Sequence, residues 1–294
     1  MSNVIVSSQE LKSKNQFLLP EKAADFSKMN FWYYTSFNTA KLILQNKSIH
    51  INNIALMNDV DEINLHYKEK GLVHCLCVCN SNTEKIPMWY LYAGITGKGV
   101  AFGFTPAVML KLINSINTLK TVDGKTLYKG RDFDVEWGWI FYRKNESKSE
   151  IFYKRKWYYL SNPKEFEINN YFIKNYPWEY EREFRIVIHN KTGIEYEKFI
   201  INIESVLKEV RIKLAPEISM ESFNDMLSDI SLDQSYFTAL PKQSGLSIQM
   251  NLCKRNIKGF IDFVDMDMRR LEEFREIEQE DINAMRRIFT VTNS

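Results

Sequence analysis

The sequence predicts an α+β fold: a mixed, largely antiparallel sheet with flanking helices. Three observations carry that expectation. Strand-like runs outnumber helical ones and do not alternate with them regularly, as they would in a doubly wound parallel sheet. No Gly-x-Gly-x-x-Gly follows a strand, and no phosphate-loop motif occurs. The 294 residues include only 11 Gly and 7 Pro and show no repeat or low-complexity linker, so the chain offers few places to divide. Its length suits one large domain, or one domain with an appendage.

Residues 1–25 are polar and mixed, a loose or helical lead-in. Phe31-Trp32-Tyr33-Tyr34-Thr35 is aromatic and reads as a strand. Ser36 or Asn38 can then cap a helix reaching Gln45, with Phe37, Leu42 and Ile43 as its apolar stripe. Residues 48–51 form a short strand, and 57–62 a polar loop. Residues 71–79 read as a buried strand in which Cys75, Cys77 and Cys79 recur with period two as small hydrophobes. A short helix covers 87–93, a strand 99–104, and Pro106 opens a helix reaching about Ile116. Further strand-like runs lie at 126–129, 137–142, 151–159, 182–188, 198–201 and 209–214. Beyond Glu217 the character changes. A helix over 258–288 carries Val264, Met268, Leu271, Phe274 and Ile277 at helical spacing, either packed on the domain or offered to a partner. The expected organisation is a lead-in (1–25), an α+β domain (26–216) and a mainly helical extension (217–294).

Composition narrows the function classes. Net charge is +2, with 45% hydrophobic and 26% charged residues, which argues against a wholly basic nucleic-acid-coating protein. Aromatics reach 14%, a hint of a site for flat rings. The N-terminus lacks the pattern of a signal peptide, and no run approaches the length of a membrane span, so a cytoplasmic protein without a membrane partner is expected. Cys253 stands apart from the other three cysteines, so no metal-ligand pairing is visible. His50, His66, His74 and His189 show no ligand spacing, and no nucleophile–His arrangement suggests a hydrolase triad.

The segment Trp178-Glu179-Tyr180-Glu181-Arg182-Glu183-Phe184-Arg185-Ile186-Val187-Ile188 is the most informative. If a strand begins near Glu181, then Glu181, Glu183 and Arg185 share one face, and Phe184, Ile186 and Ile188 take the buried one. Neighbouring acids repel. Either they lie on a solvated face beside Arg182, Arg185 or Lys191, or something uses them. A second cluster interleaves basic and aromatic residues: Tyr142-Arg143-Lys144, then Lys154, Arg155, Lys156 and Trp157. That combination suits single-stranded nucleic acid or a lysine-protected strand edge. Asn58, Asp59 and Glu62 form a turn with a helix cap, or a loop supporting a site.

Three motifs occur together: Asn58-Asp59 with Glu62; Met88-Trp89-Tyr90-Leu91-Tyr92-Ala93 before Gly99-Val100; and Trp178 through Glu181, Glu183 and Arg185. The set resembles a widespread, mostly uncharacterised prokaryotic family. Its layout in turn resembles the ADP-ribosyltransferase superfamily, in which a His-x-Thr strand, a central aromatic and a late Glu surround NAD. Tyr33-Tyr34-Thr35 stands in the His-x-Thr place, with Tyr33 where His or Arg is usual; a phenol can still hydrogen-bond a ribose hydroxyl. The resemblance implies a split-sheet core, NAD as substrate, no metal, and Glu183 as catalytic carboxylate. Glu181 would orient the nucleophile or accept its proton. Tyr33, Tyr34, Thr35, Ser36, Trp89 and Tyr92 would contact NAD, although Trp89 and Tyr92 equally read as core. Lys154, Arg155, Lys156, Trp157 and Arg185 would face a nucleic-acid or protein acceptor. A toxin or effector of a prokaryotic defence or toxin–antitoxin system, with an antitoxin or inhibitor partner, is the implied role. The alternatives are a non-catalytic binder of RNA or single-stranded DNA, and a metal-free ribonuclease.

Overall fold

The computed structural model describes residues 4–6, 30–57, 71–80, 86–93, 98–143, 150–153, 156–160 and 171–244. The loop carrying Asn58, Asp59 and Glu62, the residues Lys154 and Arg155, and the helix expected at 258–288 lie outside these. The described chain is α+β, with two mixed sheets and few helices.

Two long strands form the centre. β4 (Val73–Asn80) and β13 (Glu183–Asn190) pair antiparallel, from Glu183 opposite Cys79 to His189 opposite Val73. Phe184, Ile186 and Ile188 are fully buried, as their alternation predicts. The opposite face is buried too: Val187 and Arg185 are 0% exposed. The strand is therefore covered on both sides, unlike a half-solvated antiparallel strand. β8 (Phe133–Trp139) pairs along the far edge of β13.

The other edge of β4 carries two strands. β2 (Phe31–Ser36) meets its end, with Phe31 opposite Asn80 and Trp32 opposite Cys79. β3 (Ser48–Asn53) meets its start, with Asn52 opposite Cys75 and Asn53 opposite His74. Among the described residues no strand pairs with 76–78 on that side, so the sheet splits there. Helix α1 (Phe37–Asn46) joins the diverging strands. Ser36 caps it, its hydroxyl accepting from the Thr39 N–H at 3.2 Å, and Lys47 ends it in the left-handed region at φ 51°. Ala40, Ile43 and Leu44 are its buried face.

Each branch is extended outward. β5 (Gly99–Phe104) pairs along all of β2, and β15 (Arg211–Leu214) and β16 (Lys242–Gln243) follow. A Cβ at Gly99 would stand 2.5 Å from the Thr35 carbonyl oxygen, so only glycine lets the two strands close. Beyond β3 come β14 (Lys198–Asn202), β6 (Thr118–Thr121) and β7 (Thr126–Tyr128). The further helices among the described residues are α2 (Ile86–Tyr92), α3 (Pro106–Ser115), α4 (Glu204–Leu207) and α5 (Met220–Asp229). Thr105 and Ser219 cap α3 and α5 through their hydroxyls. Phe223 and Leu227 of α5 are fully buried, and β16 continues the sheet. Residues 217–244, the described part of the extension expected to pack on the domain, contribute Phe223, Met226, Leu227 and Phe237 to the main hydrophobic cluster.

The second sheet has the order β1 (Val4–Val6), β11 (Lys156–Leu160), β10 (Glu150–Tyr153), β9 (Phe141–Arg143), β12 (Ile173–Asn175). The run expected as one strand over 151–159 is therefore a hairpin, β10 pairing antiparallel with β11. Ile140 separates β8 from β9 and donates its N–H to the Glu183 carbonyl at 3.0 Å. From β12 a 3-10 turn, Tyr176–Glu181, leads back to β13. The two sheets join there, at Glu181 and Glu183.

Candidate functional site

A cavity of about 630 Å³ occupies the split in the main sheet, within the usual range for small-molecule sites. Tyr33 and Thr35 line it from β2, Leu42 and Asn46 from α1, and His50 from β3. Its charged lining includes Lys174, Glu181, Glu183, Arg185 and Lys198, and the Cys77 thiol also lines it.

The strand begins at Glu183, not near Glu181. Glu181 ends the 3-10 turn, and Arg182 between the two acids takes the left-handed conformation (φ 44°, ψ 53°). Simple alternation along a strand is therefore not what brings the acids together. Both reach one cation. The Lys174 ammonium lies 2.6 Å from Glu181 Oε2 and 3.4 Å from Glu183 Oε2, and 4.4 Å from the Trp178 ring centre. Arg185 Nε donates to Glu183 Oε1 at 2.6 Å, and its Nη1 donates to the Tyr171 carbonyl at 2.8 Å. The Tyr92 hydroxyl donates to Glu181 Oε1. The Glu183 backbone N–H donates to the Tyr142 hydroxyl at 2.8 Å.

Both carboxyls are 3% exposed, so a solvated sheet face is replaced by a buried charge network. Buried charges persist only where they are paired and hydrogen-bonded. The environments of the two acids diverge. Burial alone would raise Glu183, but the Arg185 guanidinium and the Lys174 ammonium outweigh it and hold the carboxyl at about 2. Burial raises Glu181, the Glu183 charge adds to the rise, and Lys174 offsets only part of it. Burial also pushes Tyr33 up to about 12, and raises Cys77, Tyr92 and Tyr142 well above their ordinary values. Divergent carboxyl pairs of this kind separate an ionised group from one able to exchange a proton.

The expected site residues are placed differently. Tyr33, Tyr34, Thr35, Tyr92, Glu181, Glu183 and Arg185 all line the one cavity. Trp89 does not: it is 1% exposed and meets Tyr34 edge-on at 4.8 Å, which places it in the core. Ser36 uses its hydroxyl as the α1 cap. Arg185, expected to face an acceptor, is fully buried with its guanidinium on Glu183 and Tyr171, so it holds the carboxylate instead. Lys156 and Trp157 lie on β11 of the second sheet.

Lys174 was missed, because it comes from a strand of three residues whose sequence carries no periodic signal. The one clue was chemical, since a buried acid pair demands a cation. Tyr142, read from the sequence as part of a basic–aromatic cluster, places its hydroxyl on the Glu183 backbone N–H. Among the described residues no group of three His, Cys, Asp or Glu side chains could hold a metal ion. No helix among them is long and apolar enough to cross a membrane.

Residues 88–186 match the family described as a protein of unknown function (DUF2971). That match spans α2 through the first part of β13, and so includes Tyr92, Lys174, Glu181, Glu183 and Arg185. No curated protein and no solved structure matches the chain.

Proposed function

We propose that this chain is an NAD-dependent ADP-ribosyltransferase with Glu183 as its essential carboxylate. The observation that best supports the reading is the meeting of Tyr33, Thr35 and Glu183 in one cavity, although β2 and β13 lie far apart in sequence. A sheet split beside these residues is also what the ADP-ribosyltransferase resemblance implies.

The chemistry follows from the charges. Breaking the bond between ribose C1′ and the nicotinamide nitrogen lets nicotinamide leave with the bonding pair and builds positive charge on the ribose, as in glycoside cleavage. Glu183, kept ionised by its cations, favours that charge more than it favours the ground state. An acceptor oxygen or nitrogen then bonds to C1′ and gives its proton to Glu181, whose raised affinity for protons suits a base working near neutrality. Tyr33, a neutral phenol, donates to a ribose hydroxyl, and Thr35 holds the carboxamide end. Tyr92 orients Glu181 through its hydroxyl. The acceptor is nucleic acid or protein.

Incubation of the chain with labelled NAD and cell extract tests the reading. Transfer of label is expected, with Glu183→Gln lowering the rate by ~10²–10³. Equal labelling by both chains, or none by the native chain, overturns it. Removal of the label by RNase or by protease identifies the acceptor. A toxin role goes with the same reading, and predicts growth arrest on induction of the native chain but not of Glu183→Gln.

A further inference from the structure

We propose that Lys174 is a positioning residue of this site: its ammonium, delivered from the second sheet, holds both carboxyl groups at the cavity and is the cation on which Glu181 depends. The proposal rests on the carboxylate-dependent transferase reading and adds a residue to it.

Lys174 lies on β12, whose parallel pairing with β9 sets it opposite Tyr142. It is 7% exposed and lines the cavity. Burying an ammonium is costly unless its charge is satisfied. Here it is shared between Glu181 at 2.6 Å and Glu183 at 3.4 Å, with the Trp178 ring beneath it. The other groups facing the pair are Arg185 on β13, Cys77 on β4, Tyr92 on α2 and Tyr142 on β9. Among the described residues Arg185 is the only further cation in contact with either acid, and it touches Glu183 alone. Without Lys174, Glu183 keeps a cation and Glu181 has none. The two carboxyls differ because one cation is shared and the other is not. Lys174 also ties the 3-10 turn to the second sheet, which fixes where Glu181 points.

Two readouts on the full chain test this, using Lys174→Met and Lys174→Arg. In the pH profile of NAD cleavage, activity lost as Glu181 takes up a proton marks the acid limb. Lys174→Met is expected to move that limb to higher pH by about one unit or more, and to lower kcat more than it raises KM. Lys174→Arg is expected to return the limb toward the native position. The second readout needs no substrate: ¹³C-labelled glutamate carboxyls followed by NMR are expected to show Glu181 titrating higher in Lys174→Met. An unchanged limb together with an unchanged titration overturns the proposal. So does a loss of activity that only tracks loss of folded protein. If the native chain cleaves no NAD yet the titration moves, the transferase reading fails and the hold of Lys174 on the carboxyls stands.

Discussion

At Glu183 the cost of burial is outweighed by Arg185 at 2.6 Å and by the shared Lys174. At Glu181 burial prevails. The two acids therefore contribute to stability with opposite dependence on pH. Glu183 is held near 2, below its ordinary value of 4.5. Its contribution is present above that ordinary value and is lost as pH falls through about 2. Glu181 is raised. Its contribution is complete below the ordinary value and is lost as pH climbs through the raised one. Urea denaturation across pH checks both. The Glu181→Gln chain is expected to gain stability relative to the native protein as pH rises through the range where Glu181 ionises. Glu183→Gln is expected to lose ~3–5 kcal/mol at neutral pH, because Arg185 is left buried without its carboxylate. That deficit narrows as pH falls toward 2.

At the level of elements, the turn between the acids is set by one residue. Arg182 adopts φ 44° with a side chain that gains little there, its Nε lying 3.9 Å from Glu179. A left-handed residue with a Cβ costs roughly 1–2 kcal/mol relative to glycine. Arg182→Gly is therefore expected to raise stability by up to ~1 kcal/mol and leave the site intact. Arg182→Val is expected to lower stability and displace Glu181, which thermal unfolding and NAD cleavage would show together. The same residue explains what the sequence concealed. Arginine does not announce a left-handed turn as Gly or Asn does, so the strand was expected to start two residues early. No Gly, Asn, Asp or Pro marks a turn anywhere in 151–159, so β10 and β11 read as one strand. Where local signals are strong, the reading held: the aromatic run from Phe31 formed β2, Ser36 of the two candidates capped α1, and Pro106 opened α3. The cavity residues on β2 and β13 were legible for the same reason. Lys174 was not, because a strand of three residues has no period to detect.

Across the whole molecule, the site exists because two sheets converge and one of them opens. β4 carries β13 on one edge and two diverging strands on the other, while β8 leads into the second sheet and β13 is entered from it. The described part of the expected extension packs against this frame, with Phe223 and Leu227 in the main core. Phe223→Ala is expected to cost ~3–5 kcal/mol in urea denaturation, although the residue lies outside the stretch that carries the motifs. The charges of the convergence have one more implication. With Glu181 ionised, the two acids and two bases cancel. An anionic ligand lodged above them disturbs that neutrality, and Glu181 is the group able to respond, by drawing a hydrogen ion from the medium. Occupancy is therefore linked to proton uptake, and the heat of binding will vary with the ionisation enthalpy of the buffer.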